Sequence, residues 1–260
     1  CSDFQGIKNR PFEDMKTILN ILKANDLRRI SFTGGEPLLR KDLVSLLKHA
    51  KKKNFVTTLV TNGTLLNQRK IENIKPYIDN IRVSINGLKK YHNKFVGNIG
   101  AFKKTINAVR LCIANNIPVS VVSSLVLSNI NELAELAELV CGELNIKKWR
   151  IFTLIARGRA REIFDKEFIH AYEIREICKK LLEKKKKHSW QTKIIIKNWR
   201  IEGRCLLILP NGSLIGVPSF KDKDNQYCAG NILKKSLKSM WKDYPYKETY
   251  WMAKIQEFYN

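Results

Sequence analysis

The residues best suited to chemistry lie together in Ile30-Ser31-Phe32-Thr33-Gly34-Gly35-Glu36-Pro37-Leu38-Leu39. Two adjacent glycines closing an apolar run let a ligand approach the backbone, because no Cβ intervenes. Glu36 then sets a carboxylate at the mouth, suited to an ammonium group. Pro37 stops the strand and fixes the exit direction. Taken alone, the same four residues also describe a tight turn with a surface glutamate. The six cysteines are Cys1, Cys112, Cys141, Cys178, Cys205 and Cys228. No close CxxC pair occurs among them, which argues against a zinc ribbon. Cys112, Cys141 and Cys178 sit inside helical patterns beside Leu, Val and Ile and read as small buried hydrophobes. His92 reads as structural rather than catalytic.

These residues need a scaffold, and the patterning supplies one. Phe12, Met15, Ile18, Leu19 and Leu22 keep helical spacing. Apolar, β-branched runs follow at 29–33, 56–61, 81–85, 119–127 and 149–153, the first three ended by Gly34-Gly35, Asn62-Gly63 and Asn86-Gly87. Between them lie helical patterns over Leu43, Leu46, Leu47 and Ala50, then over 68–74, 101–116 and 132–144, the last with Asn131 as its expected N-cap. A long basic helix is expected over 166–187. Strands separated by helices mean βαβ units and a parallel sheet, here a full or partial barrel, with its chemistry at the strand C-termini. The series of strands ends at residue 153, and Lys184-Lys185-Lys186-Lys187 reads as the start of a solvated linker. Residues 206–209 and 213–217, joined by Pro210-Asn211-Gly212, form a β-hairpin signal in a small second module. The expected division is 1–188 for the barrel and 189–260 for the module.

Composition bounds the rest. With 260 residues, 44% of them hydrophobic, the chain can bury one large core. No apolar run approaches the roughly 20 residues that cross a bilayer, and residues 1–6 lack the basic and apolar regions of a signal peptide. A cytoplasmic location and no membrane partner are expected, and disulfides are not. The net charge of +24 favours polyanions at long range. The lysines, however, are spread along helices and not interleaved with aromatics, so nucleic acid is not the expected partner. The first residue is a cysteine and not Met, and the chain is read as a fragment.

Several segments in order resemble the radical S-adenosylmethionine (SAM) superfamily, in particular the branch carrying a C-terminal SPASM or twitch domain. They are ISFTGGEPLLRKDL from Ile30, the TNG of Thr61, Asn62 and Gly63, RVSING from Arg82, GAFKKTI from Gly100, RIFTLIARGRA from Arg150 and AGNILKKSLKSMW from Ala229. The resemblance implies a partial (βα)6 barrel with a small C-terminal α+β module. It implies a [4Fe-4S] cluster held by a CxxxCxxC loop, and SAM chelated to the open iron. Reductive cleavage of SAM then gives a radical that abstracts hydrogen from a peptide, protein or small cofactor-precursor substrate, with an electron donor such as ferredoxin or flavodoxin. Carried over by position, Gly34, Gly35, Glu36 and Pro37 match the motif receiving the SAM amino group. Ser84 matches the serine expected near the SAM carboxylate or ribose, and Cys1 the third cluster cysteine. Cys205 and Cys228 match the opening of a SPASM domain. They are either ligands of an auxiliary iron–sulfur cluster or two ordinary thiols.

The match departs from the family at several places. Nothing precedes Cys1, so the first two cluster cysteines are missing and this polypeptide alone is not expected to hold a normal cluster. The family's VSxDG reads Val83-Ser84-Ile85-Asn86-Gly87, with Asn for Asp. Its HDxxRG reads His92-Asn93-Lys94-Phe95-Val96-Gly97, so the Asp becomes Asn93 and the SAM-binding arginine becomes Val96. Val217 stands where a SPASM cysteine is expected. These departures motivate an alternative, a degenerate, non-catalytic barrel acting as a binding partner.

Overall fold

Alternating apolar runs and amphipathic helices build one parallel sheet in the computed structural model, which describes residues 10–154, 160–197, 206–216 and 227–242. Helix α1 (Phe12–Ala24) precedes six strands: β1 (Arg29–Phe32), β2 (Val56–Thr61), β3 (Asn80–Ser84), β4 (Val119–Leu125), β5 (Lys148–Thr153) and β6 (Lys193–Lys197). They are parallel and adjacent in chain order. Helices α2 (Leu43–Lys52), α3 (Gln68–Ile74), α4 (Lys89–Val96), α5 (Ala101–Ala114), α6 (Leu133–Ala137), α7 (Ala160–Glu167) and α8 (Ala171–Lys187) fall between the strands.

Strand alternation divides the sheet into two faces. Leu59, Ile81, Val83, Val121, Trp149 and Ile151 point one way into the core shared with the helices. Trp149 is wholly buried there, and its indole N–H donates to Ser123 Oγ at 2.9 Å. The opposite face is concave. Here the strands follow one another in chain order with the helices packed on one face, the arrangement of a (βα) barrel, in which the other face curls around a hollow.

Four expectations are corrected. The strand series does not end at residue 153: Lys193–Lys197 pairs parallel with β5, so the sheet continues past the expected division at 188. Ile194 and Ile196, partly buried, pack on the core while Lys193 takes the concave side, as an edge strand with one packed face requires. The lysine run at 184–187 is not a linker but the last turn of α8, where cations suit the helix dipole and Lys184 pairs with Glu138 at 2.5 Å. The expected helix over 166–187 is two helices, α7 and α8, with residues 168–170 between them. Asn131 does not cap α6. It lies within a 3-10 turn, Leu127–Glu132, that leads directly into the helix at Leu133.

The hairpin forms as expected. Strands β7 (Leu206–Ile208), β8 (Ser213–Gly216) and β9 (Tyr227–Asn231) make an antiparallel sheet followed by α9 (Leu237–Lys242). Gly212, at φ +86°, supplies the left-handed turn residue. Leu214, Ile232 and Met240 of this module share one buried cluster with Ile18, Leu19 and Leu22 of α1 and with Leu46 and Ala50 of α2. Among the described residues, no helix is long and apolar enough to cross a membrane.

Candidate functional site

At the C-terminal end of β1 the chain turns through Gly34, whose φ of +146° is open to glycine and strained for other residues. A Cβ built on Gly34 or on Gly35 meets no atom within 4 Å. These two glycines therefore border open space. Other glycines at the strand ends do not. At Gly63 a Cβ would press on Val83 Cγ1 at 3.3 Å, and at Gly87 it would meet Glu132 Oε2 at 2.7 Å and the Tyr91 ring at 2.8 Å. Gly63 and Gly87 are small because protein packs against them. Gly34 and Gly35 are small beside room for a ligand.

Glu36 caps the short 3-10 turn Pro37–Leu39. Its Oε1 accepts from Leu38 N at 3.1 Å and Thr61 Oγ1 at 2.8 Å, and its Oε2 from Asn62 N at 3.0 Å. A carboxylate offers about four acceptor positions, so three donors fix it and leave one position on Oε2. Pro37 occupies the first position of the turn, where its missing N–H costs nothing. Leu38 is buried beneath it, and the exit is fixed by Arg40, which donates to Asp42 Oδ2 at 2.8 Å and to the Arg10 carbonyl at 3.0 Å.

The neighbouring strand ends are locked together by His92, a wholly buried residue. Its Nδ1 accepts from the Asn86 N–H at 3.2 Å, so Nδ1 carries no proton. Thr105 spends its hydroxyl proton on the Asn62 carbonyl at 2.8 Å, so its oxygen accepts from His92 Nε2, 3.4 Å away. Burial pushes the imidazole down to about 4, in keeping with this neutral tautomer. His92 thus ties the end of β3 to the end of β2 and is structural, as its sequence context suggested.

Asn86 is likewise committed. Its Oδ1 accepts from Ser124 N at 2.9 Å, and its carbonyl from Asn129 Nδ2 at 2.7 Å. An amide makes these bonds without burying a charge. Asn93 donates to the Ile99 carbonyl and accepts from Phe102 N at 2.8 Å, capping the start of α5. Val96 offers no polar atom in its side chain.

The site residues expected from sequence are partly brought together. Glu36 is held in place by Thr61 and Asn62, which the sequence had not marked as site residues, and Ser84 lies half-buried on the same rim, on the concave face at the end of β3. Cys1 and Cys205 lie outside the described residues. Cys228 is exposed on β9, with its thiol 3.9 Å from the Gly230 carbonyl. Cys112, Cys141, Cys178 and Cys228 are free thiols, and burial pushes Cys112 up to about 12. Among the described residues no group of three or more His, Cys, Asp and Glu could hold a metal ion, so no complete ligand set for an iron–sulfur cluster lies among them. Open space beside two glycines and a fixed carboxylate do fit the ammonium end of SAM.

Sequence reasoning missed the concave floor. Arg29, Arg82, Lys148, Arg150 and Lys193 all project from this face, on positions that alternate with core residues. The signal was present as basic residues two apart in Lys148-Trp149-Arg150, inside a strand that also carries the apolar Trp149, Ile151 and Phe152.

Residues 2–140 match the family model for the Radical SAM superfamily, and the chain belongs to that superfamily. It is 26% identical over 176 residues to an Fe-coproporphyrin III synthase of Methanosarcina barkeri, covering 67% of this chain and 44% of the relative. It is 32% identical over 140 residues to a pre-heme d1 synthase of Dinoroseobacter shibae, covering 54% of this chain and 34% of the relative. The chain thus spans about half or less of these relatives' length. In fold it is similar to Streptococcus suis SuiB bound to the precursor peptide SuiA, with TM-score 0.77, 18% identity, and coverage of 95% of this chain and 61% of SuiB.

Proposed function

We propose that this chain carries the SAM-binding barrel of a radical SAM enzyme acting on a peptide or cofactor precursor. The observation that carries the reading is Glu36, fixed by three donors with an acceptor position left beside two glycines that border open space. When bound, a [4Fe-4S] cluster and SAM supply one-electron cleavage of a sulfonium and hydrogen abstraction. In this reading Glu36 accepts from the SAM ammonium, Gly34 and Gly35 allow close approach, and Ser84 donates to the carboxylate or ribose. Cys1 serves as a cluster ligand, and Cys205 and Cys228 belong to a SPASM- or twitch-like module after β6, able to hold an auxiliary cluster. An electron donor such as ferredoxin or flavodoxin completes the system in the cytoplasm. Relatives named for making Fe-coproporphyrin III and pre-heme d1 support a cofactor precursor, and the peptide bound to SuiB supports a peptide.

A second reading, a non-catalytic barrel that binds a partner, draws on Val96, which cannot make the charge-assisted bond of an arginine. The full-length protein, reconstituted with iron and sulfide without oxygen and reduced, separates the two. Release of 5′-deoxyadenosine from SAM is the expected result. A protein that stays colourless and leaves SAM intact overturns the enzyme reading.

A further inference from the structure

Among the described residues, the concave face of β1 to β6 carries no Asp or Glu, and Arg29, Arg82, Lys148, Arg150 and Lys193 are among the positions on it. Lys148 stands directly beside Lys193 across the β5–β6 pair, and Arg150 follows two residues further up the same strand. Arg82 is level with Ser120 on β4, and Arg29 opens β1 on the same face of the sheet. Among the described residues, no ion pair engages Arg29, Lys148, Arg150 or Lys193. Packing does not demand charge here, since Ser31, Thr58, Ser120 and Ser124 fill other positions of the same face.

Gathering like charges on one wall raises the free energy of the empty protein. The strain registers at two residues. Burial and then the charges of Arg150, Lys193, Arg29 and Arg82 hold Lys148 below the ordinary lysine value, and burial with Arg82 lowers Arg150. A hollow with cationic walls concentrates anions. Arg82 lies two residues, roughly 6.5 Å of strand, below Ser84 on the rim, so one small molecule can touch floor and rim together.

We propose that this floor anchors the substrate, a small molecule bearing at least two carboxylate or phosphate groups. Its acids meet Arg150, Lys148 and Lys193, and its reacting end rises to the rim of Glu36 and Ser84. The position of that reacting end rests on the SAM reading above; the anion site itself does not.

Citrate and tripolyphosphate serve as probes for the two acid chemistries. Each is titrated calorimetrically at low salt into the full-length protein and into Lys148→Gln, Arg150→Gln and Lys187→Gln. Lys187 is exposed at the end of α8, on the helical side. Binding of either probe that weakens about tenfold or more in the first two variants but not in the third supports the site. Thermal melts without probe keep the result interpretable: Lys148→Gln is expected to melt no lower than the parent, because it relieves repulsion. No binding of either probe, or equal weakening in Lys187→Gln, overturns the proposal, since the net charge alone then suffices. SAM is titrated separately. Anion binding without SAM binding leaves the floor standing and removes the radical SAM reading, and the reverse result removes only the floor.

Discussion

The neutral His92 makes the rim of the site sensitive to acid, and the size of the effect follows from its burial. The imidazole ordinarily titrates near 6.5 and in the folded chain at about 4. A base depressed on folding adds no penalty above about pH 6.5, and stability is lost as pH falls from there to about 4. The full difference is about 3 kcal/mol, and by about pH 5 roughly 2 kcal/mol of it has gone. Urea unfolding at about pH 7 and about pH 5 measures the loss. Other groups titrate in the same window, so His92→Gln provides the reference. The variant is less stable at neutral pH, having lost the links to Asn86 and Thr105, yet its stability falls by roughly 2 kcal/mol less on acidification. NMR of the four histidines in the parent gives a direct reading: one ring remains neutral to below about pH 5. If parent and variant lose stability in parallel, or if all four rings titrate near 6.5, His92 is not the neutral pin described here.

Other consequences can be measured with single substitutions. Gly35→Ala leaves urea stability within about 0.5 kcal/mol, because its Cβ enters open space, but weakens SAM binding by crowding the ligand. Gly87→Ala destabilises by about 1–3 kcal/mol, because the new methyl overlaps Glu132 and Tyr91. Equal stability of these two alanine variants would contradict the distinction between them. Asn129→Ala removes bonds to Val126 N, the Asn86 carbonyl and the Ser124 carbonyl, and urea unfolding should show a loss of about 2 kcal/mol or more. Met240→Ala opens a cavity in the cluster shared by α1 and the C-terminal sheet. A loss of about 2–5 kcal/mol is expected within a single unfolding transition, and a separate early transition would show that the module folds apart from α1.

Much of this architecture was legible in the chain because buried parallel strands leave continuous apolar runs. Residues 56–61 illustrate this, and β2 has those bounds. Lys193–Lys197 escaped notice because its five residues begin and end with lysine and follow a run of four more. Only the neighbouring strand reveals that Ile194 and Ile196 face a core. Within the site, Gly34, Gly35 and Glu36 were readable from residue type and order. The division of labour among glycines was not, because spacing cannot say whether the atoms facing a glycine belong to protein or to open space. Thr61 and Thr105 were invisible for a similar reason: a hydroxyl is informative only once its partner is known. The cationic floor needed the register, which places Lys148 beside Lys193 from segments far apart in sequence.

The most direct test is calorimetric titration of SAM into the reconstituted full-length protein and its Glu36→Gln variant, without oxygen. The substituted amide keeps the size of the side chain but loses the charge facing the ammonium, so SAM affinity should fall about tenfold or more while the fold, read by its melting curve, persists. Equal affinity in the two proteins would mean that the carboxylate at the end of β1 does not hold the ligand.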